Sequence, residues 1–314
     1  MARDAAAQVA APIRHAGHEL LAGAIDTHVH TSPDVVPRSL DDHGAIEAAE
    51  RAGMRALVLK SHHTATGDRA QLAERYAATT LRVFGGVALD TAVGGLNPAA
   101  VEASARLGGA IVWLPTTTAA TFLRWIESNV VDHPFGPSRT GVEVLAEDGR
   151  PLPALIEVLD AVAEHRLILA TGHLAGEEIR AVVRAARARG IERIVVTHPE
   201  HPYVALPVAE QRELAADGVL FERCYLAFPE QRGDAVPIAR HMLEVGCEST
   251  VLATDFGQAR NPVPVVGFAS LLGELLDLGV PRADVVRASS QNAAQLLGLP
   301  DDPPAPAAER LSPA

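Results

Sequence analysis

Two histidines stand at positions i and i+2 in Asp26-Thr27-His28-Val29-His30. In a β-strand such positions face the same side, so the two imidazoles project together and make half of a metal site. Three further candidates each close a later apolar run: His173 in Ala-Thr-Gly-His, His198 in Val-Thr-His-Pro and Asp255 in Ala-Thr-Asp-Phe-Gly. Any one of them alone reads as an ordinary hydrogen-bonded polar residue. Arriving together at the ends of parallel strands, four imidazoles and a carboxylate form a ligand set for a divalent ion.

Lys60 draws notice by its isolation. The chain has 27 basic residues, and every one except Lys60 is arginine. Lysine carries an amine that can lose its proton and react, which a guanidinium cannot do. Lys60 closes the second apolar run, so it reads as part of the same rim. By alternation His62 points with Lys60, whereas His63 reads as structural. Weaker substrate-contact candidates are Arg38, suited to an acidic group, and His201, Tyr225 and His133.

Eight short β-rich runs must position these residues: 24–30, 56–63, 82–90, 110–117, 166–174, 193–201, 220–227 and 250–258. Amphipathic, Ala-rich stretches predict helices between them at 40–51, 69–78, 98–106, 153–164, 177–189 and 268–278. Gly53, Gly108 and Gly190 stand just beyond three of these ends, as helix C-terminal caps do. Apolar strands alternating with helices imply a parallel sheet buried on both faces, and eight such units imply an α/β fold of the (β/α)8 TIM-barrel type. Chemistry in that fold sits at the C-terminal ends of the strands, where all the candidates fall.

The fourth and fifth runs are separated by about 50 residues, which predicts an insertion over the catalytic face between strands 4 and 5, spanning 118–152, as a lid or a subunit contact. Within it, Thr121–Asn129 reads as a helix, and Gly141–Pro151 as a hairpin turning at Asp148-Gly149. The expected organisation is an N-terminal extension (1–23), the barrel (24–299) and a disordered Pro/Ala-rich tail (300–314).

A formal net charge of −12 and 4% aromatic residues argue against nucleic acid as a partner. No apolar stretch reaches the ~18 residues of a transmembrane helix, so no membrane partner is expected. Cys224 and Cys247 form no Cys-x-x-Cys pair and read as buried thiols in a reducing compartment. The expectation is a cytoplasmic homo-oligomer acting on a small molecule.

The constellation resembles the amidohydrolase superfamily of metal-dependent barrel hydrolases. That family has His-x-His on strand one, one histidine each on strands five and six, and an aspartate on strand eight. Ser290–Leu299 (SQNAAQLLGL) resembles its last helix, and the likeness runs from about Ile25 to Leu299. It implies one or two divalent ions, zinc first, with Mn, Fe, Co or Ni also suited. His28, His30 and Asp255 would hold one ion. His173 and His198 would hold a second with Lys60, or His173 would complete a single site. Asp255 would move the proton of the attacking water, and His198 would polarise the carbonyl of an amide, cyclic amide or lactone.

Lys60 departs from the family pattern, in which two-metal members carry a carboxylated lysine on strand four. Strand four here has none, so Lys60 is either a carboxylated bridge from an unusual strand or a free amine that holds a substrate carboxylate or oxyanion. The resemblance also extends to single-metal decarboxylases of the aminocarboxymuconate-semialdehyde type, the principal alternative activity. A barrel that binds a ligand without catalysis is the remaining alternative.

Overall fold

The computed structural model describes residues 17–77, 79–133 and 141–300. The expected tail from 301 on, the first 16 residues and part of the insertion lie outside them.

Eight positions of parallel strand form the barrel. Strand one is Ile25–Val29, strand two Ala56–Leu59, and strand three comes in two pieces, Arg82–Phe84 and Gly86–Ala88. Strands four to eight are Ile111–Trp113, Ile168–Ala170, Ile194–Thr197, Leu220–Cys224 and Thr250–Ala253. The first piece of strand three pairs with strand two and the second with strand four, so the break at Gly85 hands the ladder from one neighbour to the next. A Cβ on Gly85 would meet the Thr66 carbonyl oxygen at 2.3 Å, and only glycine lets the chain pass there. The ring closes between strands eight and one, where Asp255 N–H donates to His28 O and His30 N–H to Phe256 O, both at 2.9 Å. This is the (β/α)8 barrel the run-and-helix alternation predicts.

The strands are short because the mouth residues leave the ladder. The second run stops as a strand at Leu59, and Lys60 to His63 turn out of it. Inside the barrel, Ile25, Val58, Trp113, Ile168 and Val251 form a buried core. It is shared with Ala293, Leu296 and Leu297 of the helix Asn292–Leu297. Two larger apolar layers lie between the strands and the surrounding helices.

Helix ends follow local chemistry. Asn97 caps Pro98–Arg106 by accepting from Ala99 N–H, and Pro98, Pro153, Pro237 and Pro264 occupy first-turn positions. The helices Val208–Ala216, Val236–Val245 and Arg282–Val286 escaped the sequence reading. The short 3-10 turn His18–Leu20 buries Leu20, and Gly17 sits against the backbone of Ala269 and Gly273, so residues 17–23 pack onto the barrel. In the insertion, Ala120–Ser128 is helical, and Leu145 bridges Pro151 across a turn closed by Gly149 N–H to Ala146 O.

Candidate metal centre

At the mouth, the carboxylate of Asp255 faces three imidazoles. Its Oδ1 lies 3.1 Å from His28 Nε2 and 2.9 Å from His30 Nε2, and its Oδ2 lies 3.7 Å from His198 Nε2. All four residues are buried. Burial opposes the charge of Asp255, but the facing His28 ring and the hydrogen bonds from His28 and His30 overcome it and hold the carboxyl well below the usual carboxylate range. Burial pushes His198 and His173 down, toward neutral rings able to offer a lone pair.

The backbone is bent to achieve this convergence. His198 and Asp255 both have φ of 55°, the left-handed region that non-glycine residues rarely enter. Such strain persists where the surroundings over-determine it, commonly at functional sites. Gly257 (φ 141°) allows the strand-eight loop to lie against strand one, since a Cβ there would meet His30 O at 1.9 Å. Gly172 (φ 63°) does the same before His173, against the Leu114 carbonyl.

Among the described residues, two groups have ligand atoms mutually within 4.8 Å: His28, His30 and Asp255; and His28, His198 and Cys224. His173 falls in neither. His173 stands beside His198, with ring centroids 5.4 Å apart, and lines the cavity. Lys60 is buried with Nζ 3.0 Å from His28 Nε2, and burial pushes its amine below the ordinary lysine value against the pull of Asp255 and Glu222.

The cavity above this centre has a volume of about 680 Å³. Arg38, His62, His133 and His201 line it, with Phe122, Tyr203 and Phe228 as an aromatic wall. Arg38 pairs with the buried Asp34 at 2.7 Å. His62 Nδ1 lies 2.7 Å from Thr116 Oγ1, and Thr116 in turn donates to Asp90. His201 stacks on His198 with centroids 4.3 Å apart, its Nδ1 2.7 Å from the Tyr203 hydroxyl and its Nε2 2.8 Å from Leu226 O. His133 Nε2 faces Thr117 O at 2.7 Å, so the insertion does reach the mouth.

Tyr225 corrects the expectation of a substrate contact. It is absent from the cavity wall, packs on Phe256, and its hydroxyl donates to Glu274 on the outer helix Pro264–Asp277. The neighbouring helical layer offers it a carboxylate acceptor, and that draws the ring outward. Tyr203 supplies the phenol in the cavity instead.

Sequence reading missed three acids around the centre. Glu222 meets His28 Nδ1 at 3.0 Å and accepts from Thr27 Oγ1 at 2.8 Å. Asp90 is held by Thr118 N and Oγ1 at 2.8 and 2.7 Å and by Thr116 N at 3.0 Å. Asp26 accepts from Thr254 N and Oγ1, and burial pushes its carboxyl up to about 7 despite those bonds. The alternation Leu220, Glu222, Cys224 along strand seven is the signal that could have placed Glu222 inward.

A family model described as "Family of unknown function (DUF6282)" matches residues 23–222. The chain belongs to this family. The matched DUF6282 segment carries His28, His30, Lys60, His173 and His198 and ends at Glu222, before Asp255. No curated protein matches the chain. Among solved structures, it is similar to an amidohydrolase from Pseudomonas aeruginosa, at 14% identity and TM-score 0.63, covering 90% of this chain and 97% of that one. It is similar to an enamidase of the amidohydrolase superfamily, at 16% identity and TM-score 0.54, covering 90% and 70%. A 2,6-dihydroxybenzoate decarboxylase from Rhizobium is also similar, at 13% identity and TM-score 0.50, covering 88% and 99%. What these likenesses share with the chain is the fold.

Proposed function

We propose that this protein is a metal-dependent hydrolase that cleaves an amide, cyclic amide or lactone bond of a small molecule. The observation that carries this reading is the convergence of His28 Nε2, His30 Nε2 and the Asp255 carboxylate at the floor of the cavity.

The residues fit a divalent ion. Two imidazoles and a carboxylate are the donor chemistry of zinc and its neighbours. Among the described residues, the buried Nδ1 atoms of His30, His173 and His198 have no hydrogen-bond partner, so these rings are not tied up elsewhere. His28, His30 and Asp255 would hold the ion, with His198 and His173 completing the set. His28 belongs to both ligand groups, and its Nδ1 is taken by Glu222, which leaves one nitrogen and supports a single ion.

When bound, the ion supplies Lewis acidity that activates water and polarises the scissile carbonyl. Asp255 holds the proton taken from water and returns it to the leaving group. The Lys60 amine, 3.0 Å from His28 Nε2, stands beside the centre to donate to the developing oxyanion. Phe122, Tyr203 and Phe228 exclude bulk water, Arg38 takes an acidic group of the substrate, and His62, His201 and His133 contact the rest. Two free cysteines support a reducing, cytoplasmic setting, and no helix among the described residues is long and apolar enough to cross a membrane.

A single ion and an unmodified Lys60 also suit the decarboxylase alternative. The test is turnover by zinc- or manganese-loaded protein on N-acyl amino acids, cyclic imides, lactones and hydroxybenzoates. Hydrolysis that falls by roughly 10²–10⁴-fold in Asp255→Asn supports the hydrolase reading. Release of CO2 without hydrolysis replaces it with the decarboxylase, and inertness of the metal-loaded protein toward all four classes contradicts both.

A further inference from the structure

We infer that Glu222 is the positioning residue that fixes His28 as a cation ligand; the inference rests on the metal reading proposed above. Glu222 lies on strand seven and His28 on strand one, with strand eight between them in the sheet. Their side chains therefore meet through the barrel interior. Both are buried, and each carboxylate oxygen has its own task. Oε1 accepts from Thr27 Oγ1 at 2.8 Å, which locks the carboxylate in place. Oε2 faces His28 Nδ1 at 3.0 Å.

A carboxylate is an acceptor only, so Nδ1 must carry the hydrogen. With Nδ1 committed to Glu222, Nε2 is the nitrogen left to ligate an ion, and it is the atom turned toward Asp255 Oδ1 and Lys60 Nζ at 3.1 and 3.0 Å. Cys224 Sγ also approaches Nδ1, at 3.6 Å, but a thiol is a weak acceptor beside a carboxylate. Without Glu222 no carboxylate holds a hydrogen on Nδ1, while Asp255 Oδ1 still faces Nε2 and draws one there. Partners of this kind fix tautomer and ring orientation, and their loss typically weakens metal binding by about 10–100-fold.

The test compares wild type with Glu222→Gln, Glu222→Ala and Glu222→Met. Zinc affinity is measured by competition with a chromophoric chelator, and the His28 tautomer is read from long-range ¹H–¹⁵N spectra of metal-free protein. The expected order of affinity is wild type, then Gln, then Ala and Met, with the last two about 10–100-fold weaker. Gln should partly rescue, because its amide oxygen can still accept from Nδ1 while its NH2 faces the Thr27 hydroxyl. The wild-type ring should carry hydrogen on Nδ1, and the Ala and Met rings should shift it to Nε2, where Asp255 accepts. Met fills the side-chain volume, so it serves if Ala does not fold. Zinc binding within twofold of wild type and an unchanged tautomer in a folded Ala or Met variant would overturn the assignment. Wild-type protein that binds no zinc contradicts the metal reading itself, and the tautomer of the metal-free ring still decides what Glu222 does.

Discussion

The carboxylate of Asp255 lies 3.1 Å from Nε2 of His28, and the backbone N–H of Asp255 donates to the His28 carbonyl at 2.9 Å. The first and last strands are thus joined twice at one level. The backbone contact closes the barrel, and the side-chain contact builds the centre. The left-handed backbone of Asp255 is the local cost of doing both.

Lys60 should matter for activity more than for stability. Its side chain is 1% exposed, and its hydrogen-bond partner is a histidine ring rather than a carboxylate. Burial disfavours the Lys60 amine, and an apolar chain of similar length removes that desolvation cost. Lys60→Met should therefore keep or raise the melting temperature while cutting turnover at least ~100-fold, on the scale of a lost oxyanion-stabilising group. Calorimetry and steady-state rates check this together, and a fully active Lys60→Met protein would remove Lys60 from the centre.

Arg38 should act on binding. Its guanidinium is anchored by Asp34 and lines the cavity. A hydrogen bond to a charged group contributes about 1.5–3 kcal/mol, or roughly 10–100-fold. Arg38→Met should raise KM by that factor for a carboxylate-bearing substrate with kcat little changed, and should leave the methyl ester of the same substrate unaffected. Equal losses on acid and ester would show that Arg38 recognises no anion.

The network behind strand seven should carry stability. Arg223 is fully buried and pairs with Glu200, while its Nε donates to Thr250 Oγ1 at 3.1 Å and its NH2 group to Gln211 Oε1 at 3.0 Å. His241 Nδ1 reaches Glu200 at 3.0 Å. Removing one partner of a buried pair leaves an uncompensated charge and costs about 3–5 kcal/mol. Glu200→Gln should lower unfolding free energy by that order in a denaturant titration; a change below about 1 kcal/mol would mean that Arg223 is satisfied by its other partners.

The barrel was legible in the sequence because period and punctuation agreed: apolar runs, amphipathic stretches and glycine caps all pointed to βα units. His28, His30, His173, His198 and Asp255 were legible because each directly follows an apolar run. Glu222 was not, since an acid inside a strand reads as a solvent-facing position until the strand's place in a closed barrel is known. Tyr225 was misplaced for the reverse reason: its outward direction depends on Glu274, a partner supplied by tertiary packing. The helix Val208–Ala216 has little amphipathic contrast to find, with only Gln211 and Leu214 buried.

The most direct measurement of the central claim is anomalous diffraction at a metal edge, on crystals of protein loaded with zinc, paired with metal analysis of His28→Ala. About one ion per chain is expected, bonded to His28 Nε2, His30 Nε2 and Asp255, and lost in the variant without unfolding. Zinc-loaded protein with no anomalous peak among His28, His30 and Asp255, or a His28→Ala protein that retains full metal and activity, would contradict the claim.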